Sequence, residues 1–252
     1  MSHPGQSSCY LTPDWPAPAN VRAISTCRGL TSTDSVAGLG GFNLARHVRD
    51  CSERVEQHRL QLQQDLALQR QPFWLNQTHS TQLLSLPAQA GLYDCDGSFT
   101  RTKNWPCVVM SADCLPVLLC NRAGNQVAAV HAGWQGLAKG IISKAVAQFS
   151  DPSEVMVWLG PAIGPDAFEV GPDLLEAFGV NPLHACKEFI PIPEKPNKWL
   201  GNLYALARKE LTGVGVTHIF GGEYCTLSDP DRFYSHRRDP ESGRMASLIW
   251  IV

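Results

Sequence analysis

Short apolar runs alternate with amphipathic segments along this chain, a pattern that predicts strands interleaved with helices. The apolar runs predict strands at residues 21–26, 106–120, 126–131, 154–159, 218–220 and 245–252, with weaker signals at 72–86, interrupted at 77–79, and at 233–235. The amphipathic segments predict helices at residues 52–68, 137–149, 173–178 and 203–211. No repeat, long linker or shift of composition divides these elements. We therefore predict one α/β domain with a mixed β-sheet over residues 21–252, after a flexible N-terminal segment at residues 1–20.

The composition is that of a globular protein without a strongly charged or membrane-bound partner. Hydrophobic residues make up 44% of the 252 residues, enough for a sizeable core. The net charge is −2 with no run of like charges, which argues against nucleic-acid binding and against a polybasic membrane patch. No apolar run approaches the ~18 residues of a spanning helix, and the N-terminus lacks the features of a signal peptide. We expect a cytoplasmic protein.

Nine cysteines are scattered along the chain without a C-x-x-C pair. An odd number at irregular spacing argues against a disulfide framework and against a zinc site of the finger type. We expect all nine to be free thiols, most of them acting as small buried apolar residues.

Polar side chains interrupt three apolar segments where a buried strand has no need of them. Cys114 lies in MSADCLPVLLCN, His131 in QVAAVHAGWQGL and His79 in WLNQTHS. Because strand ends can converge at one edge of a sheet, these three side chains can meet at one point. One thiolate and two neutral imidazoles suit Zn²⁺, and three protein ligands leave a fourth position for water, as in catalytic zinc sites.

The same residues allow a metal-free interpretation. Cys114 could act as a thiolate nucleophile with His131 as its base and Asp113 or Asn121 as the orienting group. Such a hydrolase has no need of His79, so that residue separates the two hypotheses. A metal-binding or redox protein without enzymatic activity is a third interpretation, supported only by the cysteine count.

Several other signatures are missing. The chain has no Walker A motif, and GLGGFN at 38–43 lacks the third glycine of a dinucleotide-binding loop. It also lacks the H-x-E and P-C-x-x-C motifs of zinc nucleobase deaminases. A multicopper oxidase needs many histidines in His-x-His pairs, whereas this chain has eight histidines and no such pair.

Polar loops near both ends contain candidate anion-binding residues. The arginines are Arg28 in the N-terminal loop and Arg237, Arg238 and Arg244 in YSHRRDPESGRMAS. A guanidinium group offers forked donors that match phosphate. Asn43 and His47 form a further polar pair with no evident packing role, and we treat them as candidate substrate-binding residues.

The motifs, in their order and spacing, resemble those of the YfiH-like family. Members of this family have been labelled laccase-domain or polyphenol oxidase proteins, and later described as purine nucleoside phosphorylases with adenosine deaminase activity. The similar segments are STCRGLTS, FNLARHVRD, WLNQTHS, MSADCLPVLLCN, AAVHAGWQGL, WLGPAIGP with FEVG, YSHRRD and GRMASLIW. They cover nearly the whole chain from Trp15 to Val252, and they are most similar to the proteobacterial members.

This resemblance implies an α/β/α layered domain, a monomer, and a zinc ion held by His79, Cys114 and His131. It implies phosphate-dependent cleavage of adenosine, inosine, guanosine and methylthioadenosine, and deamination of adenosine to inosine. We assign Asp113 either to proton transfer or to support of the metal ligands.

Phosphate binding is assigned in the same way to Arg28 together with Arg237 and Arg238. An amidohydrolase that acts on a peptidoglycan precursor is the alternative within the same resemblance. One departure is visible, because the usual R-x-G-G-x-S sequence is replaced by residues 28–32, RGLTS.

Overall fold

The computed structural model describes residues 10–29, 38–182 and 186–252. Its strands are β1 (Tyr10–Leu11), β2 (Val21–Thr26), β3 (Leu83–Leu86), β4 (Gly97–Thr100), β5 (Cys107–Ser111), β6 (Leu115–Asn121), β7 (Val127–Ala132), β8 (Val155–Leu159), β9 (Glu169–Val170), β10 (Phe189–Pro191), β11 (Trp199–Gly201), β12 (His218–Gly221) and β13 (Met245–Ile251). Its α-helices are α1 (Ser52–Asp65), α2 (Trp134–Ala138), α3 (Ile141–Val146), α4 (Pro172–Ala177) and α5 (Leu203–Gly213), and a 3₁₀ turn covers Pro152–Glu154. The predicted α/β class and single domain are confirmed.

A six-stranded mixed sheet in the order β12-β8-β6-β7-β4-β3 contains the strands that lead to the candidate site. Its middle strands pair antiparallel, whereas β12 and β3 at the edges run parallel to their neighbours. A four-stranded antiparallel sheet has the order β1-β2-β13-β5, and a small sheet has the order β10-β11-β9. The mixed sheet that the sequence predicts is therefore present.

The two larger sheets stack face to face. Alternate residues of a strand point to opposite sides, so one strand can contact the other sheet on one side and a helix on the other. On β5, Cys107 and Val109 pack in one cluster with Leu118 of the six-stranded sheet. Val108 between them packs in a different cluster with Leu62 of α1. The β layer of the implied α/β/α arrangement is therefore double, with α1 covering the four-stranded sheet.

Helices α2, α3 and α5 cover the other face of the six-stranded sheet. Val117 and Val130, on β6 and β7, pack in one apolar cluster with Ile142 of α3 and Leu206 of α5. Strands β6 and β7 are thus buried on both faces, which explains why they read as continuous apolar runs rather than as alternating patterns.

Four predicted elements differ from the observed ones. The strand at 106–120 is two strands, because the chain turns at Asp113 with a φ of 88°. The helix at 137–149 is two short helices separated by Gly140, whose φ of 81° suits glycine. Only Leu83–Leu86 of the segment 72–86 is a strand, and residues 233–235 form none. The first two segments are regular structure that a turn divides, whereas in the last two local apolar content was mistaken for a strand.

The N-terminal region is tied to the sheet from Tyr10 onward. Tyr10 and Leu11 pair with Thr26 and Ser25 of β2, although they belong to the segment that we predicted to be flexible. Residues 1–9 of that segment lie outside the described residues, as does the part of the polar loop at 30–37. None of the described helices has both the length and the hydrophobicity that crossing a bilayer requires. The eight cysteines in the described ranges are free thiols.

We expect the interface between the two stacked sheets to dominate stability. The Leu118 side chain is fully buried there, so Leu118→Ala should lower the free energy of unfolding by about 2–5 kcal/mol through lost burial and a residual cavity. Leu60→Ala is the matched control, because Leu60 is 47% exposed, and should cost less than about 0.5 kcal/mol. Urea unfolding of both variants measures the difference, and equal losses would contradict this assignment of the core.

Candidate metal centre

His79, Cys114 and His131 converge in the structure as the sequence predicts. Their ligand atoms lie within 4.8 Å of one another. The Cys114 Sγ is 3.7 Å from His79 Nε2, and the centroids of the two imidazole rings are 4.9 Å apart. Three side chains that are separated by up to 52 positions in the chain therefore form one donor group.

Strand pairing brings two of these residues together. In the antiparallel pair of β6 and β7, Leu115 lies opposite Ala132 and Pro116 opposite His131. Cys114 immediately precedes β6, so the same register places its thiol beside the His131 ring. The turn at Asp113 separates β5 from β6, so Cys114 lies outside both strands.

His79 reaches the site from a loop rather than from the end of a strand. Its backbone has a φ of 58°, a left-handed conformation that is uncommon for a residue with a side chain. Such a conformation persists only when the surroundings hold it. The buried carboxylate of Asp96, immediately before β4, stabilises this conformation of His79.

Asp96 organises both histidines at once. Its Oδ1 accepts hydrogen bonds from His131 Nδ1 (2.9 Å) and from the backbone N–H of His79 (3.0 Å). Its Oδ2 accepts from the N–H groups of Thr78 (3.2 Å) and Ser80 (2.6 Å) and from the Ser80 hydroxyl (2.7 Å). A hydrogen bond from the far ring nitrogen fixes the orientation of a metal-binding histidine and leaves Nε2 for the metal.

The sequence analysis missed Asp96. No motif that we recognised marks it, and the only signal is a carboxylate directly before a short strand. Burial opposes its ionisation, but the hydrogen bonds from His131 and Ser80 outweigh burial and lower the pKa of Asp96 to about 2. The carboxylate is therefore charged throughout the physiological range.

Without a metal, the thiol and the imidazole form an ion pair. Burial raises the pKa of Cys114, but the neighbouring His131 and His79 outweigh burial and lower that pKa to about 6. Burial likewise lowers the pKa of His131, yet the Cys114 thiolate and Asp96 raise it to about 9. The thiolate that a metal requires thus exists at neutral pH.

The local backbone leaves room for the donor group. A Cβ atom on Gly133 would lie 2.4 Å from His79 Cδ2 and 3.2 Å from Cys114 Sγ. Any larger residue in the H-A-G-W motif would displace two of the three donors. The donor set of one sulfur and two nitrogens, with this space preserved beside it, fits Zn²⁺.

A cavity of about 230 Å³ contains the three donors. Further polar side chains line it, among them the ionisable ones of His47, His236 and Arg244. Burial and the nearby Arg244 charge lower the pKa of His47, so this imidazole is neutral at pH 7. The cavity therefore combines a metal-binding group with a guanidinium and two imidazoles.

Two of these polar residues were singled out from the sequence and one was not. His47 and Arg244 were candidate substrate-binding and anion-binding residues. His236 lies in the quoted YSHRRD motif, but nothing in its residue type or spacing distinguished it from a surface histidine. Its Nδ1 lies 3.0 Å from the Pro240 carbonyl oxygen, which fixes the ring at the cavity wall.

Arg28 and Asn43, two other predicted substrate-binding residues, form hydrogen bonds with the main chain. Arg28 donates to the carbonyl oxygens of Gly40 (3.1 Å) and Pro230 (3.2 Å). Asn43 is fully buried, and its Oδ1 accepts from the Ala45 and Arg244 backbone N–H groups. Neither residue is among the described residues that line the metal cavity. Asn43 instead positions the backbone of Arg244, which does line it.

Arg237 and Arg238 are likewise held by main-chain carbonyls. Arg237 donates to the Glu169 carbonyl oxygen (3.0 Å), and Arg238 donates to those of Thr226 (3.0 Å) and Phe233 (2.7 Å). Their guanidinium groups stabilise the loop that follows β12, and neither lines the metal cavity among the described residues.

The Asp113 carboxylate binds the same loop and is not free to point at the three metal ligands. Its Oδ1 accepts from the Thr226 hydroxyl (2.5 Å), and its Oδ2 accepts from the Ser235 hydroxyl (3.0 Å) and the Arg237 N–H (2.7 Å). These three hydrogen bonds tie Asp113 to this loop beside Cys114, which fits the supporting role beside the metal ligands, and proton transfer by Asp113 stays a prediction.

Known proteins are similar to this chain along nearly its whole length. The family model described as multi-copper polyphenol oxidoreductase laccase matches residues 22–252. Purine nucleoside phosphorylase of Haemophilus influenzae is 42% identical over 96% of this chain and 98% of its own length. Purine nucleoside phosphorylase YfiH of Escherichia coli is 43% identical over 97% of this chain and 100% of its own length.

Solved structures show the same fold. A Neisseria meningitidis protein superposes with a TM-score of 0.89 at 45% identity, covering 97% of this chain and 99% of that one. YlmD from Geobacillus stearothermophilus superposes with a TM-score of 0.85 at 26% identity, covering 98% and 97%. The chain therefore belongs to the laccase-like YfiH family, whose proteobacterial members carry the name purine nucleoside phosphorylase.

Proposed function

We propose that this protein is a zinc-dependent purine nucleoside phosphorylase. The proposed substrates are adenosine, inosine, guanosine and methylthioadenosine together with phosphate, and deamination of adenosine is a proposed second activity. The observation that carries the proposal is the single cavity in which a His/Cys/His donor group lies beside Arg244 and two imidazoles. The names of relatives that align along their whole length support the same reaction.

Phosphorolysis joins a phosphate oxygen to C1′ of the ribose and breaks the bond from C1′ to the purine. The electron pair of that bond leaves with the base, which takes up a proton, and the transition state resembles an oxocarbenium ion. Phosphate must be held close to C1′ throughout. Arg244 offers the planar donor set that suits phosphate, and His47 and His236 add ring nitrogens in the same cavity.

Zinc, when bound by His79, Cys114 and His131, supplies a Lewis acid and lowers the pKa of a bound water, which is the chemistry that deamination needs. The protein's own part is to fix the donors. Asp96 orients His131 and the loop of His79, and Asp113 holds the loop at 226–237 against Cys114. We propose Arg244 for the phosphate-binding role that the sequence analysis gave to Arg28, Arg237 and Arg238.

A metal-free Cys/His hydrolase is the second candidate. The specific observation in its favour is the thiolate and imidazolium pair of Cys114 and His131. It makes no use of His79, although the structure holds that residue in an uncommon backbone conformation directly against the thiol.

Replacement of His79 separates these two candidates. We expect His79→Ala to lose bound zinc, because two remaining ligands cannot hold the ion, and to lose phosphorolysis of inosine with it, because the proposed reaction takes place in the cavity that the ion occupies. Metal analysis and a hypoxanthine-release assay measure both losses. His218→Ala should keep both, because the His218 ring contacts Arg122 and does not line the metal cavity among the described residues. Full activity of metal-free His79→Ala protein would favour the hydrolase.

The affinity for zinc should rise with pH. Cys114 is already a thiolate above its pKa of about 6, whereas His131 must release a proton because its pKa in the metal-free protein is about 9. Between about pH 7 and 8.5 binding should release one proton, so the association constant should increase roughly tenfold per pH unit. Competition with a chromophoric chelator measures it, and a constant affinity over this window would contradict the ion pair.

Arg244→Gln tests the phosphate assignment. Loss of a charged hydrogen-bond donor should cost about 1.5–3 kcal/mol, or about 10- to 150-fold in kcat/KM for phosphate. Deamination of adenosine, which consumes no phosphate, should change much less. Arg237→Gln is the control, because its guanidinium contacts Glu169 and Phe168 outside the cavity. Equal losses in both reactions for Arg244→Gln would show a structural or ribose-binding role instead.

A further inference from the structure

A second, larger cavity of about 730 Å³ adjoins the metal cavity. His47 and Met110 line both cavities. The segment that leads to the metal ligands connects them as well, since Phe73–Asn76 line the larger cavity and Gln77 and His79 line the smaller one. The two cavities therefore follow one stretch of chain and form adjacent parts of one site.

Size indicates that a substrate must extend beyond the metal cavity. Cavities that enclose small ligands have volumes of about 300–1,000 Å³, and the metal cavity has only about 230 Å³. It has room for the reacting part of a nucleoside and for phosphate, but not for the whole nucleoside with them. The larger cavity supplies the missing space.

The walls of the larger cavity suit a flat, uncharged ring. Phe73 and Trp74 provide aromatic surface, and each ring packs against a neighbouring side chain. The Arg59 guanidinium lies 4.1 Å from the Trp74 ring centroid, and the Tyr93 ring lies 5.5 Å from that of Phe73. Rigid aromatic walls favour stacking or edge contacts with another aromatic ring.

The charged groups on these walls are already paired. Arg46 and Glu56 form an ion pair with a distance of 2.6 Å, and Arg59 donates to the Leu44 carbonyl oxygen at 3.0 and 2.8 Å. Both guanidinium groups on these walls therefore already have partners. A neutral heterocycle needs no counter-charge.

Leu92 at the rim is a large apolar side chain that the fold leaves uncovered. It is 77% exposed and lines the larger cavity together with its neighbours Ala90 and Gly91. An apolar ligand surface that covers the Leu92 side chain would remove it from water, which is favourable.

We propose that the larger cavity binds the purine base, while ribose C1′ and phosphate occupy the metal cavity. The assignment of ribose and phosphate rests on the proposed phosphorylase function. In this orientation the base lies away from the three donors, so deamination at the metal requires the nucleoside to bind the other way round. The two reactions then depend differently on the larger cavity.

The test measures binding of hypoxanthine to the zinc-loaded full-length protein by calorimetry, with inosine phosphorolysis in parallel. Leu92→Ser should weaken hypoxanthine binding about tenfold, within the range for lost apolar contact in a binding pocket. Ala90→Trp, which adds bulk at an exposed wall position, should weaken it further. Ile190→Ser is the control, because Ile190 is 56% exposed on β10 and does not line the cavity.

In the phosphorolysis assay, Leu92→Ser should raise KM for inosine about tenfold and leave KM for phosphate within about twofold of wild type. Unchanged hypoxanthine affinity in both variants, or no hypoxanthine binding to the wild type, would overturn the base subsite while leaving phosphorolysis to be judged by turnover. Hypoxanthine binding that Leu92→Ser weakens, in a protein that does not cleave inosine, would support the subsite and reject the phosphorylase function.

Discussion

The buried carboxylate of Asp96 is the interaction on which the site depends. It joins an element of the sheet to a loop that has no regular structure, by accepting hydrogen bonds from the His131 ring and from three consecutive N–H groups at residues 78–80. Removing it would leave those donors without partners in a partly buried place, which costs more than the hydrogen bonds contribute. The left-handed conformation of His79 is tolerable because this carboxylate holds the residues on both sides.

The double sheet gives this arrangement a rigid base. Strands β6 and β7 are covered by helices on one face and by the four-stranded sheet on the other, so the register that puts Cys114 beside His131 cannot slip without exposing apolar side chains. Asp113 adds a second fixed point, since it ties the loop at 226–237 to the turn before Cys114. Metal donors and cavity walls are thus held by two carboxylates that are both saturated with hydrogen bonds.

The donor group does not match the description of the family as multicopper enzymes. Within the described ranges, His79, Cys114 and His131 are the group of three or more metal-ligating side chains that the fold brings together. The chain has eight histidines and no His-x-His pair. A thiolate and two imidazoles suit one metal ion, and one such donor group does not provide for electron transfer among several coppers.

The sequence by itself determined the α/β class, the long buried strands and the three donor residues. Continuous apolar runs require burial on both faces, and a cysteine or histidine within such a run stands out against that background. It did not determine which polar side chains reach the cavity, because hydrogen bonds across the fold decide this. Arg28, Asn43 and Arg238 bond to main-chain or buried polar groups away from the cavity. Arg244 and His236 also bond to main-chain carbonyl oxygens, but their side chains line the cavity. Asp96 and the turn at Asp113 matter for the same reason, since their partners are distant in sequence and only the packed tertiary structure brings them into contact.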